Sequence, residues 1–401
     1  MLLLVPPALA APYAGIAVDM RDGRVYYEHD ADRRQHPASL TKMMTLYLTF
    51  EALQKGQIKL DQRVRVSRHA ARQPPSKLHL KAGQRVSIRH LIRATAIKSA
   101  NDAAMVLAET VGGSQKRFGQ MMTAKARALG MMKSTFKNPH GLTQRGHLST
   151  ARDMALLARH LYFDFPQYYN VFGKRSDTAA GRRIRTTNRL LATYRGAEGM
   201  KTGYTRAAGY NLVSIAARGN ERIVSVVMGG KSTRSRNAQA ARLLDLGFRK
   251  APRKVAIVRP RTASVRVARA PLPKPRPGTP ATGLSAIAAA IAPAAVASTL
   301  ASRSPYAPLY AERPPRRVPD GWAVELGRFR HESQAIALVA SMAMDETSAL
   351  PDAEISIHSR NTGGGLRYSV RVAGSMAMKG AGACAAFARL KAPCQRIHPT
   401  R

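Results

Sequence analysis

His36-Pro-Ala-Ser39-Leu-Thr-Lys42-Met-Met44 leads into a run whose apolar positions, Leu40, Met43, Met44, Leu46, Tyr47 and Phe50, predict a helix from Ser39 to about Leu53. That spacing suits burial on more than one side. Residues three apart on a helix share a face, so the Ser39 hydroxyl and the Lys42 amine can meet. Pro37-Ala38 sets Ser39 at the helix N-terminus, where the dipole favours developing negative charge. A serine hydroxyl is a poor nucleophile until a neighbouring base takes its proton. Lys42 can be that base only as a neutral amine, which burial and a second nearby cation would both favour.

Two further motifs follow in order, Ser99-Ala-Asn101 and Lys201-Thr-Gly203. Ser99 and Asn101 fall where the apolar helical region His90 to Val111 is interrupted. There Ser99 could relay a proton and Asn101 could hold a substrate amide or Lys42. Lys201 and Thr202 would bind a terminal carboxylate, and Gly203 would let a substrate backbone approach closely. The backbone N–H groups of Ser39 and Tyr204 would form an oxyanion hole. Together these parts equip a serine acyl-transferase acting on a peptide with a free C-terminus. The letters alone are not specific, because Ser134-Thr-Phe-Lys137 repeats the first pattern and Ser235-Arg-Asn237 and Ser359-Arg-Asn361 repeat the second.

From Tyr13 to about Phe248 strands and helices alternate. Gly15-Ile-Ala-Val-Asp19 and Gly23-Arg-Val-Tyr-Tyr27 read as an opening hairpin, and Lys116 to Leu129 and Ala151 to Leu161 as helices. Tyr210 to Ala217 and Arg222 to Gly229 read as a second hairpin directly after Lys201, which places that lysine on a strand beside the site. Residues 249–318 are rich in Pro, Ala and Arg, with Pro271-Leu-Pro-Lys-Pro-Arg-Pro277 and Arg313-Pro-Pro-Arg-Arg317, and read as a disordered linker. Its alanine-rich stretch Gly283 to Ala301, broken by Pro293 and serines, falls short of a membrane span. Residues 319–398 then run strand, helix, strand, strand, helix, strand, which gives a small open βαββαβ sheet with two helices on one face.

The chain of 401 residues carries 65 Lys+Arg against 23 Asp+Glu, a net charge of +42. Such a field favours polyanions, including anionic envelope surfaces. The basic residues are scattered without a compact nucleic-acid motif, so nucleic acid is not an expected partner. No His-Glu-x-x-His or His-x-x-Glu-His spacing occurs, so a zinc peptidase lacks its ligands and no metal or other cofactor is expected. Residues 1–10 end in Ala8-Leu9-Ala10, a signal-peptidase-like site without a basic n-region, and read as part of an export signal. Cys384 and Cys394 are the only cysteines; an even pair in an exported chain is a disulfide candidate and points to the periplasm.

Residues from about Gly15 to Gly230 resemble the low-molecular-mass penicillin-binding proteins, serine D-alanyl-D-alanine carboxypeptidases of the peptidase S11 type. The likeness rests on His36 to Met44, on Lys98-Ser-Ala-Asn-Asp-Ala-Ala104 and on Gly130-Met-Met-Lys-Ser-Thr-Phe-Lys-Asn-Pro-His-Gly-Leu142. His147-Leu-Ser-Thr-Ala-Arg-Asp-Met154 and Gly199-Met-Lys-Thr-Gly-Tyr-Thr205 extend it. The third of these segments claims Ser134 and Lys137 for a structural loop. The resemblance implies an α+β, β-lactamase/transpeptidase-like domain over residues 11–248, an antiparallel sheet plus a helical region. It implies acylation of Ser39 by peptidoglycan stem peptides ending in D-Ala-D-Ala, and covalent trapping by β-lactams. A class A β-lactamase is disfavoured, since no Glu-x-x-Leu-Asn segment lies between Asn101 and Lys201. A DD-endopeptidase of the same family, cutting cross-links, is not separated by these motifs. Asp102 and His140 read as local structural residues.

Residues 319–398 resemble a SPOR domain, on Trp322-Ala-Val-Glu-Leu-Gly-Arg-Phe329, Arg367-Tyr-Ser-Val-Arg-Val-Ala-Gly374 and the helix-then-Cys394 ending. That likeness implies binding to denuded glycan strands, enrichment at the division septum, and a disulfide joining Cys384 to Cys394. A catalytically silent wall-binding protein is the rival from another class, and retention of all three motifs argues against it.

Overall fold

In the computed structural model, the residues described are 11–262, the strand residues 322–329, 354–362, 365–374 and 394–397, and Ala335 and Leu338. The segment 1–10, the apolar stretch 283–301 and Cys384 lie outside them.

Helix α1, Thr41–Gln54, is buried at every position from Thr41 to Phe50. A helix apolar on all sides belongs in the middle of a domain rather than on its surface. In chain order the elements around it begin with strands β1 (Ala14–Asp19) and β2 (Val25–His29). A short ribbon, β3 (Arg63–Arg65) with β4 (Arg85–Ser87), encloses α2 (Arg68–Ala71) and leads to α3 (Ile88–Arg93). Helices α4 (Asn101–Gly112), α5 (Gln115–Ala128), α6 (Ala151–Asp164) and α7 (Pro166–Tyr169) complete the helical region. A second ribbon, β5 (Ser176–Ala179) with β6 (Arg182–Arg185), and α8 (Leu190–Thr193) return the chain to β7 (Ala197–Thr205), β8 (Gly209–Arg218), β9 (Glu221–Gly230) and α9 (Thr233–Lys250).

The main sheet has the order β2-β1-β9-β8-β7, and every neighbouring pair in it is antiparallel. Alternation along the strands separates its two faces. Ile16, Val18, Val213, Ile215, Val224 and Val226 join the large core built by α1, α4 and α6. Ala17, Leu212 and Val227 face the other way with Ala240 and Leu243 of α9. Gly247 permits the close approach of α9, since a Cβ there would lie 2.5 Å from Ile223 Cγ2. The result is helix on sheet on helix, with β7 as an edge strand. The ribbons carry little periodic signal in the sequence because they are short, whereas α9 buries Ala240, Leu243, Leu244, Gly247 and Phe248 at helical spacing, a stripe that sequence reasoning passed over.

The body does not stop at Phe248, where composition shifts. Helix α9 continues to Lys250, and the chain beyond it packs back. Arg21 donates to Pro252 O (2.9 Å), Arg159 donates to Val258 O (2.6 Å), and Val258 N–H donates to Arg21 O. The basic composition from 249 onward reads as linker, but carbonyl acceptors need no particular side chain, so pattern cannot see these contacts.

The C-terminal strands β10 (Trp322–Phe329), β11 (Glu354–Thr362), β12 (Gly365–Gly374) and β13 (Cys394–Ile397) form a separate antiparallel sheet, order β11-β12-β10-β13. Val324 pairs with Val372 and Leu326 with Val370, all four buried. Ala335 and Leu338 are helical and buried. The remainder of the segments 331–345 and 378–390 lies outside the described residues.

Candidate active site

Ser39 sits in the single 3-10 turn Ala38–Leu40 that precedes α1. Ala38 holds a left-handed backbone (φ 48°), a conformation an alanine adopts only where its surroundings demand it. Three contacts supply that demand. Gly141, itself at φ 88°, lies so close that a Cβ would stand 1.8 Å from Ala38 O. Asn211 donates to His36 O at 3.0 Å. Gly203 on β7 is packed so that its Cβ would lie 3.0 Å from both Pro37 O and Ser39 N. The glycine expected to admit a substrate backbone therefore makes room for the turn that carries Ser39.

Lys42 Nζ lies 2.9 Å from Ser39 Oγ, 2.7 Å from Asn101 Oδ1 and 2.8 Å from His140 O. Asn101 is held in that orientation because its Nδ2 donates to Pro74 O (2.8 Å) and Pro75 O (3.2 Å). Burial, first, and the positive charge of Lys201, second, push Lys42 well below the ordinary lysine range, with Asp102 partly opposing. A neutral amine has two N–H bonds and one lone pair. Asn101 Oδ1 and His140 O can only accept, so they take the hydrogens. The lone pair is left for the Ser39 hydroxyl, which donates to Nζ in that state.

The two motif serines differ. Ser99 caps the π-helical turn Ala94–Lys98 in a left-handed conformation (φ 62°), and this reversal starts α4 at Asn101. Ser99 is buried but makes no hydrogen bond to Lys42 in this arrangement. Asp102 accepts from the backbone N–H groups of Leu78 and Leu80 and so ties down the segment beside the motif.

Lys201 is buried on β7, and its Nζ donates to Thr202 O at 2.9 Å. Among the described residues no carboxylate pairs with it. Burial and the charge of Arg236 lower it to about 7. Thr202 Oγ1 lies 2.6 Å from Thr187 Oγ1, and Tyr204 is exposed with its ring tilted against that of Tyr210, centroids 4.3 Å apart. Arg236, in the first turns of α9, is buried and lowered to about 10 by that burial. It donates to Asn211 O and Asn237 Oδ1. A buried lysine and a buried arginine side by side without an acid form a site for an anion. Sequence reasoning passed over Arg236, whose only local mark is an arginine inside a helix start.

The loop after α5 is the other part that pattern undervalued. Asn138 Oδ1 accepts from Gly141 N–H (2.7 Å), and Thr45 on α1 donates to Pro139 O (2.6 Å). This loop presents the His140 carbonyl to Lys42. His147 accepts from Lys137 N–H at Nδ1 and therefore donates from Nε2 to Thr41 Oγ1 (2.8 Å). Burial holds His140 well below its usual range and His147 at about 3, so both stay neutral. The lookalike motifs are scaffolding. Ser134 Oγ bonds Ser149 and Asp153, and Ser235 closes the capping box of α9 with Ser232. Ser359 and Asn361 lie on β11 of the C-terminal sheet. Cys394 is disulfide-bonded, and Cys384 is the only other cysteine of the sequence.

A serine hydroxyl against a buried lysine, a carboxamide on that lysine, and a cationic pocket with no acid among the described residues are the parts a serine acyl-transfer site requires. Residues 5–232 match the D-alanyl-D-alanine carboxypeptidase family, Peptidase S11, and the chain belongs to that family. It is 42% identical over 243 residues to the D-alanyl-D-alanine carboxypeptidase DacC of Escherichia coli and 38% identical over 239 residues to DacF of Bacillus subtilis. Each alignment covers 59% of this chain and 61% of the relative, so the match spans about three-fifths of either protein. Penicillin binding protein 5 from Haemophilus influenzae superposes with a TM-score of 0.58 at 34% identity, over 62% of this chain and 73% of that one. Penicillin-Binding Protein D2 from Listeria monocytogenes, in its ampicillin-bound form, gives 0.55 at 31%, over 61% and 100%.

Proposed function

We propose that this chain is a serine-type D-Ala-D-Ala carboxypeptidase that removes the terminal D-Ala of peptidoglycan stem peptides through a Ser39 acyl-enzyme. The observation that carries this reading is the Lys42 amine, whose two other partners can only accept and which therefore faces Ser39 with its lone pair. Ser39 Oγ attacks the carbonyl of the penultimate D-Ala as its proton passes to Lys42 Nζ. The developing oxyanion is met by the N–H groups of Ser39 and Tyr204, which flank the close contact at Gly203. The C-terminal carboxylate sits against Lys201 and Thr202, with Arg236 adding charge behind them. The proton returns to the departing D-Ala amine by way of Ser99, water hydrolyses the ester, and Ser39 is restored. A β-lactam would take the same ester and block the site.

The C-terminal sheet is assigned to binding denuded glycan, supported by its strand order and by the SPOR-like segments. Export to the periplasm is supported by Ala8-Leu9-Ala10 and by the disulfide at Cys394. The test is direct. Fluorescent penicillin should label the protein and fail to label Ser39→Ala, and purified wall fragments should lose one alanine each. Labelling that survives the substitution sinks the reading. Conversion of cross-linked dimers to monomers would instead make the chain an endopeptidase.

A further inference from the structure

Thr143 Oγ1 donates to Thr205 Oγ1 at 3.0 Å, a bond between exposed hydroxyls that joins the loop after α5 to the end of β7. Thr143 belongs to the Asn138 loop, which presents the His140 carbonyl to Lys42. Thr205 is the last residue of β7. Side chains two apart on a strand share a face, so Lys201, Gly203 and Thr205 form one row, about 7 Å between successive members. Lys201 neighbours Lys42, Gly203 packs on Ser39 N, and Thr205 ends the row. Among the described residues β7 has no partner strand on the side away from β8, which leaves a backbone edge for a peptide.

This inference rests on the carboxypeptidase reading, which fixes the direction of that peptide. With its carboxylate at Lys201 and its reacting carbonyl at Tyr204, the residue preceding the two alanines must pass Thr205. The geometry points to the Thr143–Thr205 bond as a clasp over the acyl-donor end of the cleft, selecting stem peptides whose third residue, a diamino acid, carries a free side chain. A third residue already branched with a further peptide would have to part the clasp. One hydrogen bond between exposed hydroxyls is weak, so the clasp biases the choice and does not bar it.

The experiment measures kcat/KM for D-Ala release from acetyl-Lys-D-Ala-D-Ala and from the same tripeptide bearing Gly-Gly on the lysine Nε. It uses the full chain, its Thr143→Val variant and its Thr143→Ser variant, with fluorescent penicillin labelling to show that Ser39 and the fold are intact. The full chain should prefer the unbranched peptide, Thr143→Val should lower that preference about three- to tenfold, and Thr143→Ser should restore it. An unchanged ratio in Thr143→Val, or a loss that serine does not restore, overturns the clasp while leaving the carboxypeptidase intact. No D-Ala released by the full chain from either peptide overturns both.

Discussion

In the proposed reaction two lysines with lowered affinity for protons do opposite work, and their signs give the pH dependence. Lys42 must be neutral to accept the Ser39 proton, so activity is lost as pH falls below its depressed value. Lys201 must be charged to hold a carboxylate, and in the free enzyme it loses its proton near 7 instead of near 10.5. The kcat/KM for a D-Ala-D-Ala peptide should therefore form a bell whose upper limb falls from about pH 7. A peptide ending in a carboxamide should lack that upper limb. A profile that stays level from pH 7 to pH 10 with the acid peptide would remove Lys201 from carboxylate binding. Sequence spacing alone pairs Ser39 with Lys42, but it cannot supply a pKa. That depends on burial and on charges brought in from distant strands.

At the scale of elements, the nucleophile turn is shaped by glycines on two other segments. Gly141→Ala would set a methyl group 1.8 Å from Ala38 O at a backbone angle, φ 88°, that L residues rarely adopt. Either the Ser39 turn or the His140 carbonyl has to move. Penicillin acylation should fall on the order of 100-fold, and the melting temperature should drop. Gly181→Ala is the control: its φ is also positive, 74°, but nothing lies within 4 Å of the new methyl. It should cost only the local strain, about 1 kcal/mol, and acylation should be retained. Equal behaviour of the two variants would show that strain, and not the close packing under Ser39, governs the effect. The long helices α1, α4, α5 and α6 and both hairpins were legible from their runs of apolar positions, whereas the one-turn helices α2, α7 and α8 are too short to show a period. The Asn138 loop was not, since its contribution to the site is a backbone carbonyl.

Across the whole molecule, the catalytic body depends on chain that composition assigns to a linker. Arg21 and Arg159 are buried and donate to carbonyls beyond Phe248. A chain ending at residue 262 should label with penicillin and melt as the body does in the full protein. One ending at Phe248 removes the Pro252 and Val258 acceptors, leaving Arg21 only Asp19 and Arg159 only Met20 O, and should melt a few degrees lower. Coincident melting curves for the two would show that the 251–262 segment merely lies on the surface.

What the sequence determined by itself is local. A serine and a lysine three apart at a helix start must share a face, and alternating strands must form two-faced sheets, because backbone geometry sets both periods. Which of two Ser-x-x-Lys patterns brings its serine against a buried amine was decided in three dimensions. Ser134 is spent on Ser149 and Asp153, whereas Lys42 meets Asn101 from 59 residues away and His140 from 98. Only that convergence buries the amine beside Lys201. Desolvation and Coulomb interactions act through space, so no window of sequence contains the cause of a lysine held below its ordinary range.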